Sequence, residues 1–214
     1  MTFISVKKVQ NGINRIEVII MKIKQQKQIK KFLVEEFEIK KGNIIFSKQE
    51  EILNEIIKNI KGKSKNQQKT LTQTILPRIA LYKAMLKSDL ATDEIYKYMQ
   101  KYMIDIVAKQ KHLSMVKMEK IPCFYSIYSK IFLKVVRKTD LWESEQSHDK
   151  NSFDVTMKKC LWHTACVEND CEKLCRLFCD VDDVTYGNLK KLGFSRTKTL
   201  GYGKDCCDFH FYRK

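Results

Sequence analysis

Seven of the chain's eight cysteines crowd into one stretch, as Cys160, Cys166, Cys171, Cys175, Cys179, Cys206 and Cys207, and only Cys123 lies outside it. A thiol can form a disulfide, hold a metal, attack as a thiolate or pack as a small apolar group. The start of the chain carries no export signal, which disfavours disulfides. No C-x-x-C pair occurs, which disfavours a zinc or iron–sulfur site. Cys171, Cys175 and Cys179 are four apart, so a helix stacks them along one face, where packing is the simplest role. More chemistry gathers near the end. In Cys207-Asp208-Phe209-His210-Phe211 a strand turns Cys207 and the two phenylalanines to one face, with Asp208 and His210 on the other. The phenylalanines mark the face that packs on helices, so Cys207 is expected at a sheet–helix boundary, where a pocket forms. Asp208 is a candidate partner for Arg196 across the hairpin, depending on register.

The elements that must position these groups divide by periodicity. Residues 21–140 read as helices. Ile52, Leu53, Ile56, Ile57 and Ile60 make one apolar face, ended by Gly62 and the polar run 63–69. Pro77 suits a helix start, predicting a helix over Arg78 to Lys87 with Ile79, Tyr82 and Leu86 inward. Ile95, Tyr98, Met99, Tyr102, Met103, Ile106 and Val107 fit three turns after Thr92 as N-cap. Phe124, Ile127, Tyr128, Ile131, Phe132 and Val135 repeat the pattern. A polar loop is expected from Glu143 to Ser152. Strand alternation then begins at Phe153, Val155 and Met157 and runs toward Cys160. Cys171 to Leu192 returns to helix, with a break expected around Asp180 to Asp183 and Gly193 as C-terminal cap. Two closing strands, Phe194 to Leu200 and Cys206 to Tyr212, flank Gly201-Tyr202-Gly203 as a hairpin. The expected fold class is α+β: a mainly helical N-terminal two thirds packed on a small antiparallel sheet formed by the C-terminal third. Residues 1–20 are expected as a leader or flexible segment, and 21–214 as one domain, with helices in 21–140 and the sheet and cysteines in 150–214.

Length and composition set outer bounds. At 214 residues, with 7 Gly, 2 Pro and 43% hydrophobic residues, the chain is neither collagen nor a disordered tail. It contains no apolar stretch of bilayer length, so it is expected to be cytoplasmic and away from membranes. The 41 basic residues outnumber 25 acidic ones, for a net charge of +16, which invites a nucleic-acid reading. Only six of the basic residues are Arg, however, and base-edge readout favours the Arg fork. A solvated Lys-rich surface is the simpler account, and a nucleic-acid partner is not expected.

The motifs of the last third, taken together, resemble the L-2-amino-thiazoline-4-carboxylic acid hydrolase family. They are Phe153-Asp154-Val155-Thr156, Cys160, Cys179-Asp180-Val181-Asp182, Arg196-Thr197-Lys198-Thr199-Leu200, Gly203 and Cys207-Asp208-Phe209. These lie in the order and spacing of the family's F-D-V-T, Cys, C-x-x-D, R-T-x-T and C-D-F-R. A weaker echo lies in Leu76 to Tyr82. His210 stands where the family usually shows Arg, and the segment from Cys160 to Cys179 is richer in cysteine.

The resemblance implies a bacterial hydrolase of carbon–nitrogen bonds other than peptide bonds. Its reaction opens 2-amino-thiazoline-4-carboxylate, a cyclic isothiourea, to N-carbamoyl-cysteine in cysteine formation. The ring carbon between sulfur and nitrogen is most electrophilic when the amidine is protonated, which a neighbouring carboxylate favours. Asp182 is the candidate for that role or for activating water, with Asp208 the competitor. Cys207 is the candidate nucleophile, its pKa to be lowered by His163, His210 or Arg196. Arg196 is alternatively the clamp for the substrate carboxylate, assisted by Thr199, and His210 binds an anion when protonated. Cys160 and Cys179 match family positions and are expected to line the site; with Cys207 and Asp182 they also form the alternative metal set. No cofactor or metal is expected, the partner is a small-molecule substrate, and a homo-oligomer is possible. The competing reading is a non-enzymatic small-molecule-binding or thiol- or metal-sensing protein of the same fold.

Overall fold

The computed structural model describes residues 23–214, so the expected leader lies outside the described residues. The chain forms two compact units, one up to Ile95 and one from Tyr96 onward.

The first unit is helical where described. Helix α1 (Lys24–Lys58) is interrupted at Glu38, whose φ of 65° and ψ of 165° are not helical. The stretches on either side run back along each other, because the buried amides of Gln26 and Gln49 exchange hydrogen bonds of 2.8 and 3.0 Å. Of the expected apolar face, Ile52 and Leu53 are buried, while Ile56, Ile57 and Ile60 are half-buried. The polar run after Gly62 does more than end α1. Ser64 accepts from the Gln67 N–H and the Gln67 side chain accepts from the Ser64 N–H, a capping box that starts α2 (Lys65–Thr70). A π-helical turn (Leu71–Ile75) leads into α3 (Leu76–Leu86), where Pro77 sits in the first turn. Ile79 and Tyr82 face inward, but Leu86 is 43% exposed because it ends the helix beyond the packed stretch.

Helix α4 (Thr92–Gln100) continues through a π-helical segment (Lys101–Ala108) into α5 (Lys109–Met118). Thr92 is the first helical residue and not the cap; the Ile95 N–H closes the first turn on the Ala91 carbonyl. In α6 (Phe124–Lys138) only half of the expected apolar face packs. Phe124, Tyr128 and Phe132, one i, i+4 row, stack toward the sheet at ring spacings of 5.5 and 5.6 Å. Ile127, Ile131 and Val135, the neighbouring row, are 42%, 58% and 52% exposed. The larger side chains take the buried row.

The sheet is antiparallel, in the order β1-β2-β4-β3. Its strands are β1 (Trp142–His148), β2 (Ser152–Cys160), β3 (Leu192–Ser195) and β4 (Cys207–Arg213). The expected polar loop is thus largely a strand. β1 is an edge with no fully buried residue, so it needs no apolar alternation, and its pairing with β2 holds it. β2 is followed by α7 (Leu161–Val167), and α8 (Glu172–Tyr186) runs unbroken through Asp180–Asp183. Its acids are compensated from outside: Arg196 pairs with Asp183, and the Tyr202 hydroxyl donates to Asp180. Gly187 ends α8, while Gly193 lies in β3, where a Cβ would meet the Tyr212 ring at 2.2 Å. The closing strands do not form a tight hairpin. β3 ends at Ser195 and β4 begins at Cys207, with a 3-10 turn (Leu200–Tyr202) in the connection.

One face of the sheet is the core of this unit. Phe153, Val155 and Met157 of β2 and Cys207, Phe209 and Phe211 of β4 pack with Phe124, Leu133 and Val136 of α6. At the corner where β1 and α7 meet, Trp142 and Trp162 stack with centroids 5.6 Å apart and planes 3° apart. No helix among the described residues is long and apolar enough to cross a membrane.

Candidate functional site

The connection between β3 and β4 is tied down from both ends. Asp208, facing away from the core, accepts from the Thr197 N–H (2.9 Å), the Thr197 hydroxyl (2.6 Å) and the Lys198 N–H (2.6 Å). Burial pushes this carboxyl up, but those bonds outweigh it and hold Asp208 below the ordinary carboxylate range. Asp208 therefore shapes the loop and does not pair with Arg196. Farther along, Gly201 lies so close to α8 that a Cβ there would sit 2.7 Å from Cys179 Sγ and 3.0 Å from the Cys175 carbonyl oxygen. Only glycine permits that approach.

Between this loop and α8 lies a cleft of about 280 Å³, lined by Asp180, Asp183, Arg196, Thr197, Thr199, Tyr202 and Lys204. Arg196 is its centre. The side chain is 8% exposed, Nη2 pairs with Asp183 and lies 3.8 Å from Asp180, and Cζ sits 6.0 Å from the Phe209 ring. Burial opposes its charge, but Asp183 outweighs burial and keeps the guanidinium firmly protonated. Its Nη1 is buried and has no hydrogen-bond partner among the described residues. An unmatched buried N–H on a charged group costs roughly 1–3 kcal/mol or more, and native structures retain such groups chiefly where a ligand completes them. Asp180 accepts from the Tyr202 hydroxyl at 2.9 Å, and burial raises its pKa against the pull of that bond and of Arg196. A carboxyl so placed is suited to carry a proton.

Of the expected site residues, Arg196 and Thr199 line this cleft. Thr199 is 5% exposed, and its hydroxyl accepts from the Tyr202 N–H at 3.3 Å. Cys207 lies behind the cleft. It is 5% exposed, belongs to the phenylalanine-rich core, and accepts from the Leu200 N–H at 3.4 Å. Burial raises its thiol pKa, although Arg196 pulls the other way. His210 is on the opposite sheet face, with Nδ1 2.6 Å from Asp154 of β2, its cross-strand neighbour. An Arg at that position would meet the same carboxylate.

Asp182 also turns away from the cleft, toward Tyr186 and Tyr128, whose phenol pKa values burial raises most and Asp182 raises further. Burial pushes Asp182 up to about 6, with Lys111 and Arg196 drawing it back. The folded protein thus holds this proton more tightly than the unfolded chain, whose ordinary value is 3.8. Stability should be fullest below about pH 4 and fall as pH rises through about 6. Asp182→Asn is expected to raise stability by about 1–3 kcal/mol near pH 8 and to leave it unchanged near pH 4. Urea unfolding at the two pH values checks this.

The thiols of α8 and α7 are close neighbours: Cys166 and Cys179 lower the pKa of Cys175, while Cys171 and then Cys175 raise that of Cys166, and Cys175 raises that of Cys179. Cys171 donates to the Cys166 carbonyl at 3.4 Å. Cys160 is shielded at the end of β2, where burial pushes its thiol up to about 12. Cys160 and Cys179 each come within electrostatic range of Cys207. Among the described residues no group of three or more His, Cys, Asp or Glu side chains is arranged to hold a metal ion.

Sequence reasoning missed Asp180, Asp183, Thr197, Tyr202 and Lys204 as lining residues. The signal was present for the first two. Positions three apart share a helix face, so Asp180 and Asp183 look out together, while Asp182 points elsewhere. The loop residues had no comparable signal.

A helix-backed antiparallel sheet with a buried arginine presented to a small polar cleft is the candidate site of this α+β protein. The family profile of L-2-amino-thiazoline-4-carboxylic acid hydrolase matches residues 67–211, and the chain belongs to that family. No curated protein matches the chain. Among solved structures, the Fe(II) unliganded H-NOX protein from K. algicida aligns over 88% of this chain and 94% of its own, at 9% identity and a TM-score of 0.31. That likeness is too slight to bear on the fold or the site.

Proposed function

We propose that this protein hydrolyses a small cyclic amidine bearing a carboxylate, of the 2-amino-thiazoline-4-carboxylate type, in the cleft at Arg196. The observation that carries this reading is the buried, unpartnered Nη1 of Arg196 beside the carboxyl groups of Asp180 and Asp183. Nη1, with Lys204, receives the substrate carboxylate, and Asp180 faces the amidinium. Such a zwitterionic substrate matches a cleft whose lining carries two acids and two bases. A water oxygen adds to the ring carbon between sulfur and nitrogen while Asp180 takes its proton. The carbon–sulfur bond then breaks, and the proton passes to the departing sulfur. Water is the preferred attacking group because the Cys207 thiol is buried, raised in pKa and outside the cleft lining.

Mass spectrometry of the thiazoline acid incubated with the protein tests this, the expected product carrying one added water. Asp180→Asn should reduce kcat by about 100-fold or more, the usual range for a lost general base, whereas Cys207→Ser should keep most of it. The opposite ranking would return the nucleophile to Cys207. The same cleft supports a second reading, binding without turnover, favoured by the absence of a thiol from its lining. Saturable calorimetric binding of the thiazoline acid with no product at any pH would select it.

A further inference from the structure

We propose that a second cleft, between α6 and the turn joining β1 to β2, binds a small phosphate-bearing polyanion of nucleotide size. The cleft measures about 500 Å³. From α6 it takes Lys130, Lys134, Arg137 and Lys138, at spacings that put all four on one face, and from the turn it takes His148 and Lys150. Like charges spaced four apart on a helix repel by a few tenths of a kcal/mol each, so such a row is costly unless something neutralises it. Nothing among the described residues does so. Lys130, Lys134, Lys138 and Lys150 form no ion pair with the described residues. Asp149 is the one acid in the lining, and its carboxylate is occupied by the Asn151 N–H (2.6 Å), the Ser152 N–H (2.7 Å) and the Ser152 hydroxyl (3.0 Å).

A second observation is independent of charge. Tyr125 lines the same cleft and is 6% exposed, and its hydroxyl is buried with no hydrogen-bond partner. A phosphate oxygen would accept from it. The Tyr125 ring is held by the Arg213 guanidinium, 5.1 Å from its centroid, and Arg213 in turn donates to the Ser126 hydroxyl at 2.9 Å. Leu133 and Phe153 supply an apolar side to the cleft, which suits an organic body attached to the phosphates better than a bare ion. A nucleic-acid strand fits less well, because six basic side chains gathered around about 500 Å³ match one compact polyphosphate better than the spaced phosphates of a strand.

Calorimetric titration of the full chain with ATP, with sodium triphosphate and with a short single-stranded oligonucleotide tests the proposal. One equivalent of ATP is expected to bind, more tightly than bare triphosphate. Tyr125→Phe should weaken ATP about fivefold to tenfold, as loss of one hydrogen bond to a charged acceptor does. Its thermal midpoint should stay or rise, since an unmatched buried hydroxyl is removed, which separates lost contact from misfolding. Lys134→Ala combined with Lys150→Ala should weaken ATP by roughly tenfold or more. Absence of saturable ATP binding up to millimolar concentration, affinity unchanged in both variants, or tighter binding of the oligonucleotide than of ATP would each overturn it.

Discussion

Replacing Arg196 with alanine is expected to lower kcat/KM for 2-amino-thiazoline-4-carboxylate by roughly 10- to 100-fold, mostly through KM. The magnitude follows from losing hydrogen bonds between a guanidinium and a carboxylate in a site shielded from water, worth about 1.5–3 kcal/mol. The direction follows from Nη1, which has no hydrogen-bond partner among the described residues and so contributes to binding without being needed for folding. Nη2 is different, because it neutralises Asp183. Asp183 is half exposed, so its release to solvent should change stability little. A guanidinium with only a structural task would show the reverse: a lower thermal midpoint with KM untouched. Arg196→Lys separates charge from geometry. It keeps the cation but not the planar fork, and partial recovery of KM is expected. Equal kcat/KM in all three proteins would remove Arg196 from the site.

The largest effect on stability is expected at Phe211. It is fully buried, stacks on Phe153 at 4.8 Å, meets Phe194 at 4.9 Å, and presents Tyr186 with an edge-on contact at 5.1 Å. Truncation to alanine removes a ring from the junction of β2, β3, β4, α6 and α8 and leaves a void that so many rings cannot all relax to fill. Phe211→Ala should cost about 3–5 kcal/mol in urea unfolding. Ile131→Ala on α6, whose side chain is 58% exposed, should cost within about 0.5 kcal/mol and serves as the control. Equal costs at the two positions would mean that the core is elsewhere.

Much of this architecture was legible from residue order alone, for a physical reason. Where one face of an element is buried, the period of its apolar residues reports the element directly. Phe153, Val155 and Met157 on β2 and Cys207, Phe209 and Phe211 on β4 were readable in that way, and so was the α+β class. Legibility failed where burial is absent or shared. β1 has no fully buried residue and therefore no alternation of polarity, so a strand resembled a loop. α6 carries two apolar rows, and composition cannot say which one the sheet selects. Asp180 to Asp183 looked like a helix break because the compensating groups, Arg196 and Tyr202, come from a distant loop. The cleft itself was half legible. Arg196 and Thr199 announce themselves by type, whereas Lys204 and Tyr202 reach it only through the path of the connection that Asp208 shapes. Cys207 drew attention as a reactive type, and its place among phenylalanines depends on strand pairing that a single sequence does not reveal.

The stacked pair Trp142 and Trp162 has a practical corollary, because these are the chain's only two tryptophans. Indole emission therefore monitors one corner of the C-terminal unit, and the unit up to Ile95 carries no tryptophan of its own. In a melting experiment, far-ultraviolet circular dichroism sums both units, so two midpoints by dichroism against one by fluorescence would identify which half lets go first.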